Sequence, residues 1–239
     1  MTNGVECPSK SQVDKAGRII REHFADPKLL DSDSEANLSG AFGVLVDYRS
    51  AHQYPLGKAN MGLRSMVTTA GCPVEITQRL KRIPTIVDKL RREPTIRLST
   101  MQDIGGCRAV LNSIDEIRRV ERRLKKNRPP VRVSDYITTP RDSGYRGVHV
   151  IVAYDDRMIE VQLRTQAMHE WAITVERLSG RLGEDLKSGR GPHQVRDLLE
   201  SISEAMAIEE AGGVVEQVLS ERVRELRELA DPFLRGGSK

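Results

Sequence analysis

The chain of 239 residues carries 38 Lys and Arg against 34 Asp and Glu, a net charge of +4, and is 38% hydrophobic and 30% charged. That length holds one large domain, or one compact domain with helical extensions, and excludes two full enzymes side by side. With only three Phe, five Tyr and one Trp, aliphatic residues must fill the core, and an aromatic-rich binding cage is not expected.

No run approaches the ~20 consecutive apolar residues of a membrane span, and MTNGVECPSKSQ has neither the charged start nor the apolar middle of a leader peptide. A soluble, cytoplasmic protein without a membrane partner is expected. Cys7, Cys72 and Cys107 are odd in number and far apart, so neither a disulfide framework nor a zinc site is legible. Charge is unevenly distributed. Arg118 to Arg132 has eight basic residues against one Glu, and Arg196 to Asp231 has ten acids against four Arg.

In chain order, residues 1 to about 70 read as broken helices, with Val13, Ala16, Ile19 and Ile20 at helical spacing over Ser11 to Phe24 and the same pattern over Leu38 to Tyr48. Val74 to Arg92 places Ile76, Leu80, Ile83, Ile86, Val87 and Leu90 on one side, so it too reads as helical, with Pro84 starting a new helix or kinking the old one. From Gly105 the texture changes to β-branched runs. CRAVLN, VRVSDYI, GVHVIVAY and MIEVQLRT predict four strands, with a helix over Ile114 to Lys126 between the first two and a tight turn at Asp155-Asp156-Arg157 between the last two. Helices return over Gln166 to Leu178, Pro192 to Ala211 and Val214 to Leu229. The expected class is α+β, a small mixed sheet flanked by N- and C-terminal helices.

Several common chemistries lack their motifs. The chain has no G-x-x-x-x-G-K-[ST], no G-x-G-x-x-G after a strand, no H-E-x-x-H and no Ser/His/Asp order. Polar residues stand instead where a sheet is usually apolar. Asp103 and Arg108 flank the first predicted strand in D-I-G-G-C-R, and a carboxylate at a strand's mouth suits magnesium. Glu160, Gln162 and Arg164 alternate along IEVQLRT and so share one sheet face, opposite Ile159, Val161 and Leu163. The loop DYITTPRDSGYRGVHV puts Arg141, Tyr145, Arg146 and His149 among glycines, a composition able to stack a base and hold phosphate.

Taken in order, R-x-K-x-x-x-T with Lys89, D-x-x-G-x-R, DYI-x-x-P-R-x-x-G-Y-R-x-x-H and E-V-Q-L-R-T followed by A-M-H-x-W-A resemble the synthetase domain of RelA/SpoT-type proteins over about residues 74 to 180. The resemblance implies three regions: a helical lead-in over 1–73, the synthetase core over 74–180 and a helical extension over 181–239. It implies a nucleotidyltransferase-like sheet that binds ATP and Mg²⁺ and moves the ATP β,γ-diphosphate onto a nucleotide 3′-hydroxyl, releasing AMP. Arg79, Lys81, Lys89 and Arg108 would hold the ATP polyphosphate. Asp103 would hold the metal, and Glu160 would act as base at the 3′-hydroxyl or as second metal ligand. Tyr145 would stack the acceptor base, with Arg141, Arg146, His149, Gln162, Arg164 and His169 around the acceptor.

Arg141 stands where the family more often has Lys, and Glu176 is followed by Arg177 rather than His. Two acceptors are compatible with the resemblance. One is GDP or GTP, giving guanosine tetra- or pentaphosphate. The other is the 3′ end of tRNA, as in toxic members of the family that are paired with an antitoxin. The basic stretch and a pI of about 9.0 favour the polyanion, and the intact loop favours the free nucleotide. A non-catalytic RNA-binding module of the same fold is a third reading, set against the presence of both Asp103 and Glu160. A stand-alone synthetase without the hydrolase or regulatory domains of the long enzymes is expected, and homo-oligomerisation is open.

Overall fold

The computed structural model describes residues 7–25, 32–72 and 74–235. Residues 1–6, where a leader was sought, and Pro73, at the expected end of the lead-in, lie outside them. In chain order come α1 (Lys10–Ala25), α2 (Ser32–Ser50), α3 (Gln53–Thr69), β1 (Ile76–Leu80), α4 (Ile83–Arg92), β2 (Gly105–Leu111), α5 (Ile114–Asn127) and β3 (Arg132–Asp135). They are followed by β4 (Val148–Tyr154), β5 (Arg157–Thr165), α6 (Gln166–Leu182), α7 (His193–Glu210) and α8 (Gln217–Arg235), with 3-10 turns at Leu98–Thr100 and Leu186–Ser188. The strands form one mixed sheet in the order β1-β2-β5-β4-β3, in which β2 and β5 run parallel and the other neighbours antiparallel. The α+β class read from the sequence is the class observed.

One element differs from expectation. Residues 76–80 form an edge strand antiparallel to β2, with Arg79 opposite Gly106 and Thr77 opposite Arg108. Ile76 and Leu80 are four apart, a spacing that satisfies one face of a helix and one face of a strand alike. The free edge of β2 decides between them. Pro84 then sits in the first turn of α4, where its missing N–H is harmless.

Local chemistry sets the other boundaries. Ser113 caps α5 by accepting from the Glu116 amide at 3.2 Å, while the Glu116 carboxylate accepts from the Asn112 amide at 2.9 Å. Asp115 and Glu116 open this helix and Lys125 and Lys126 close it, each sign opposing the local end of the helix dipole. Thr165 caps α6, and Gly183 ends it at φ 68°. Asp155 and Asp156 both take positive φ, 45° and 59°, making the tight two-residue turn that joins β4 to β5.

The sheet has one dry face and one wet face. Val148, Val150 and Val152 of β4 and Ile159, Val161 and Leu163 of β5 pack with Leu63 and Val67 of α3 and with Ile117, Val120 and Leu124 of α5. Each fully buried aliphatic side chain contributes roughly 1.5–3 kcal/mol. A one-residue slip in register would send these residues to water, so the alternation in the sequence dictates which residues face the other way. A second core joins α1, α2, α4 and the Leu98–Thr100 turn. A third gathers Trp171, Leu186, Val195, Leu198 and Leu199 around Tyr145.

Candidate active site

On the wet face, pairing places side chains in rows. Thr77, Arg108, Gln162, His149 and Ser134 stand side by side across the five strands, and the next row reads Arg79, Gly106, Glu160, Ile151 and Arg132. Gly106 has no side chain, so the floor between Arg79 and Glu160 stays open. Over these rows lies a cleft of about 700 Å³, within the ~300–1,000 Å³ range of ligand sites.

One end of the cleft is a cation clamp. Lys81, just beyond β1, and Lys89, on α4, both donate to Asp103 Oδ2, at 2.8 and 3.0 Å. Burial works against ionising Asp103, but the two ammonium groups hold its pKa below the ordinary value. Its other oxygen, Oδ1, is buried without a partner. A buried, ionised oxygen without a partner is costly, and a hard divalent cation that also takes phosphate oxygens would satisfy it. Asp103 therefore fits the magnesium role. Among the described residues no group of three or more His, Cys, Asp and Glu could hold a metal, so the remaining ligands would come from substrate and water. Arg79, Arg108 and Thr85 line the cleft beside this clamp.

The middle of the cleft is built around Glu160. His149 Nδ1 lies 2.8 Å from Oε1, and Gln162 Nε2 donates to Oε2 at 2.6 Å. Burial alone would raise this carboxyl's pKa, yet the hydrogen bonds from His149 and Gln162 lower it. Burial lowers the imidazole's pKa in turn. The consistent assignment is a neutral His149 donating from Nδ1 to ionised Glu160 and accepting from the Tyr145 hydroxyl at Nε2. Behind them Arg164 Nε donates to the Tyr145 hydroxyl at 3.2 Å, and Arg164 Nη2 donates to Gln162 Oε1 at 2.9 Å.

Arg164 is 0% exposed, and its Nη1 has no partner. No carboxylate among the described residues forms an ion pair with it. Holding a guanidinium out of water costs several kcal/mol unless it is paired. Such a cation behind a polar cleft marks a place where negative charge arrives.

The structure separates the expected site residues. Arg79, Lys81, Lys89, Asp103, Arg108, Arg141, His149, Glu160 and Gln162 line one cleft. His169, on α6, lies at its edge with Nδ1 3.5 Å from Arg108 Nη1. Two of the expected acceptor residues, Tyr145 and Arg146, are not among the residues that line the cleft. Tyr145 is 0% exposed and packed into the third core, so its ring presents no open face to a base. Arg146 turns away to pair with Glu210 of α7 at 2.6 Å, so it fastens that helix rather than touching the cleft. Gly144, at φ 82°, brings the loop so close to α7 that an added Cβ would sit 3.0 Å from Glu200 Cα, and this turns both neighbours inward.

Among the cleft residues that sequence reasoning missed are Tyr136, Arg132 and Lys187. Tyr136 was legible: it belongs to the DYI motif, and Arg141 lies 4.3 Å over its ring with Nη2 donating to its hydroxyl at 2.8 Å. Arg132 was legible by its alternation with Ser134 on β3. Lys187 gave no signal, because it comes from a short turn beyond every motif.

Fold and site together define a nucleotidyltransferase-like sheet with its polar face turned into a substrate cleft. The model of the region found in RelA / SpoT proteins matches residues 78–177. The GTP pyrophosphokinase YjbM of Bacillus subtilis is 33% identical over 176 residues, covering 67% of this chain and 81% of that protein. The GTP pyrophosphokinase YwaC of the same organism is 32% identical, covering 55% of this chain and 68% of its own length. Among solved structures, small alarmone synthetase 2 of Bacillus subtilis superposes with a TM-score of 0.59 at 26% identity, covering 70% of this chain and 95% of that one. Small alarmone synthetase 1 of the same organism, bound to its product pppGpp, gives 0.54 at 26% identity, with 77% and 95% covered. The chain belongs to the RelA/SpoT family.

Proposed function

We propose that the chain is an ATP-dependent pyrophosphokinase that transfers the β,γ-diphosphate of ATP to the 3′-hydroxyl of GDP or GTP. The acceptor oxygen forms a bond to the ATP β-phosphorus, the bond from that phosphorus to the α,β-bridging oxygen breaks, and AMP leaves. The observation that carries this reading is one cleft with a cation-clamped Asp103 at one end and a hydrogen-bonded Glu160 in the middle. The relatives' names and the product-bound neighbour support the guanosine acceptor.

Arg79, Lys81, Lys89 and Arg108 meet the triphosphate and stay in place as its charge shifts toward the leaving AMP. Asp103 Oδ1 would hold Mg²⁺, whose charge would make the β-phosphorus more electrophilic. Ionised Glu160 accepts the hydrogen bond of the 3′-hydroxyl, aims its oxygen and receives its proton. His149 and Gln162 fix the carboxylate plane. Tyr136, with Arg141 over its ring, takes over the base platform first assigned to Tyr145.

The helical part of the basic stretch lends the tRNA acceptor no support in the cleft, although Arg132 at the end of that stretch lines it. Ile117, Val120 and Leu124 of the basic helix α5 pack on the dry face, so its charge lies on the side of the sheet away from the cleft. The test is direct: purified protein with Mg²⁺ and ATP labelled at the γ-phosphate is offered GDP, GTP, ATP and deacylated tRNA separately. Label in guanosine tetra- or pentaphosphate is expected, and label only on tRNA would replace this reading with the toxin. Asp103→Asn and Glu160→Gln should each lower transfer about 10²-fold or more, with melting temperature retained. Near-normal turnover would remove that residue from the chemistry.

A further inference from the structure

The turn Leu186–Ser188 lies beyond the region matched by the family model, which ends at residue 177. It nevertheless reaches the cleft, where Asp185, Lys187 and Ser188 form part of the wall. Gly183 at φ 68° and Gly189 at φ 75° bracket the turn, conformations that reverse the chain at low cost only for glycine. The turn is held from four directions. Leu186 is fully buried, Ser143 Oγ donates to the Lys187 carbonyl at 2.9 Å, Arg196 donates to the Gly189 carbonyl at 2.9 Å, and Asp185 pairs with Arg92 of α4.

This scaffold projects Lys187 into the cleft beside the group formed by Tyr145, His149 and Glu160. Its Nζ stands 4.8 Å from the Tyr145 ring centroid and 3.2 Å from Glu176 Oε1. The charged and titratable groups that face it come from four elements: Glu176 from α6, Arg108 from β2, Glu160 and Arg164 from β5, and His149 from β4, with Tyr145 beneath. Two guanidinium groups face it, and its one ion pair is with Glu176. An ammonium held against two guanidinium groups is poised for an added anion.

We propose that Lys187 is a further substrate-binding residue, whose ammonium contacts a phosphate of the acceptor nucleotide. The assignment rests on the transfer reaction proposed above and extends its site beyond the family motifs. Burial, together with the neighbouring Arg164, lowers the Lys187 pKa to about 8, so the contact carries its own pH signature. The charged form binds phosphate, so acceptor affinity is full below that pH and declines as pH rises through it.

The test compares wild type, Lys187→Met and Lys187→Arg, with ATP and GDP varied independently and melting temperature recorded. Met keeps the length and removes the charge. A charge-assisted contact to phosphate predicts that Lys187→Met raises KM for GDP about tenfold or more, while KM for ATP stays within about twofold. Lys187→Arg should recover most of the loss and abolish the decline above about pH 8, because arginine stays charged there. An unchanged KM for GDP in Lys187→Met, or equal rises for both substrates, overturns the proposal. So does failure of arginine to restore acceptor use in a protein with wild-type melting temperature. A wild type that releases no AMP with any acceptor overturns the parent reading instead, and a wild type using another acceptor has that acceptor put in GDP's place.

Discussion

At the scale of single residues, the unusual investment is charge kept out of water. Arg164 has no exposed surface and no carboxylate partner, yet it supports both Tyr145 and Gln162 by hydrogen bonds. A buried charge exchanged for an apolar side chain of similar length is often neutral or stabilising. Arg164→Met is therefore expected to melt at or above the wild-type temperature while losing transfer about tenfold or more, since the chain from Arg164 through Tyr145 and His149 to Glu160 is cut. Thermal unfolding and AMP release measured on the same preparation check this, and a large drop in melting temperature with activity intact would make Arg164 a structural residue. The same residues show how far sequence reading extends at this scale. Glu160, Gln162 and Arg164 were assigned to one face by alternation alone, and they share it. That alternation gave no depth, so it could not place Gln162 on the floor and Arg164 beneath it.

At the scale of elements, the loop between β3 and β4 is shaped by what lies on top of it. Gly144 takes φ 82°, and a Cβ there would meet Glu200 Cα at 3.0 Å and Leu199 O at 3.2 Å. Ser203 Oγ donates to its carbonyl at 2.5 Å, so an α7 side chain bonds directly to the loop backbone. Gly144→Ala should cost about 2–4 kcal/mol through backbone strain and crowding, visible as a lower denaturant midpoint. Acceptor KM should rise with it, because Tyr136 and Arg141 belong to the same loop. A variant of wild-type stability would show that α7 gives way easily. Pattern reading named this loop as functional but took both Tyr145 and Arg146 for substrate contacts, since a glycine-rich, polar loop normally stays at the surface. The third core makes this one an exception.

At the scale of the whole molecule, the sheet divides charge as well as packing. Its wet face gathers the cations of the cleft, and α5, packed on the other face, carries Arg122, Arg123, Lys125 and Lys126. Reversing those four charges should leave guanosine acceptor use within about twofold, because their helix packs on the face of the sheet opposite the cleft and surface charges are largely screened over a Debye length of ~8–10 Å at moderate salt. A selective loss of tRNA labelling in that variant, steep with salt, would restore a polyanion to this surface. The cleft itself draws on three layers: β1 and α4 for the cation clamp on Asp103, β2, β4 and β5 for the floor, and the Leu186–Ser188 turn for part of the wall.

The order of residues alone dictated the class of fold, the strands β2 to β5, the helices around them and the side of the sheet that would be polar. These follow from period, caps and turn chemistry, which are local and leave their mark within a dozen residues. Tertiary structure decided the rest. It made 76–80 a strand by offering the edge of β2, buried Tyr145 and Arg146 by laying α7 across their loop, and carried Lys187 into the cleft from a turn more than 20 positions past Glu160. Each of those outcomes depends on contacts between distant segments, and a pattern that repeats every two or every 3.6 residues contains no information about which segments will meet.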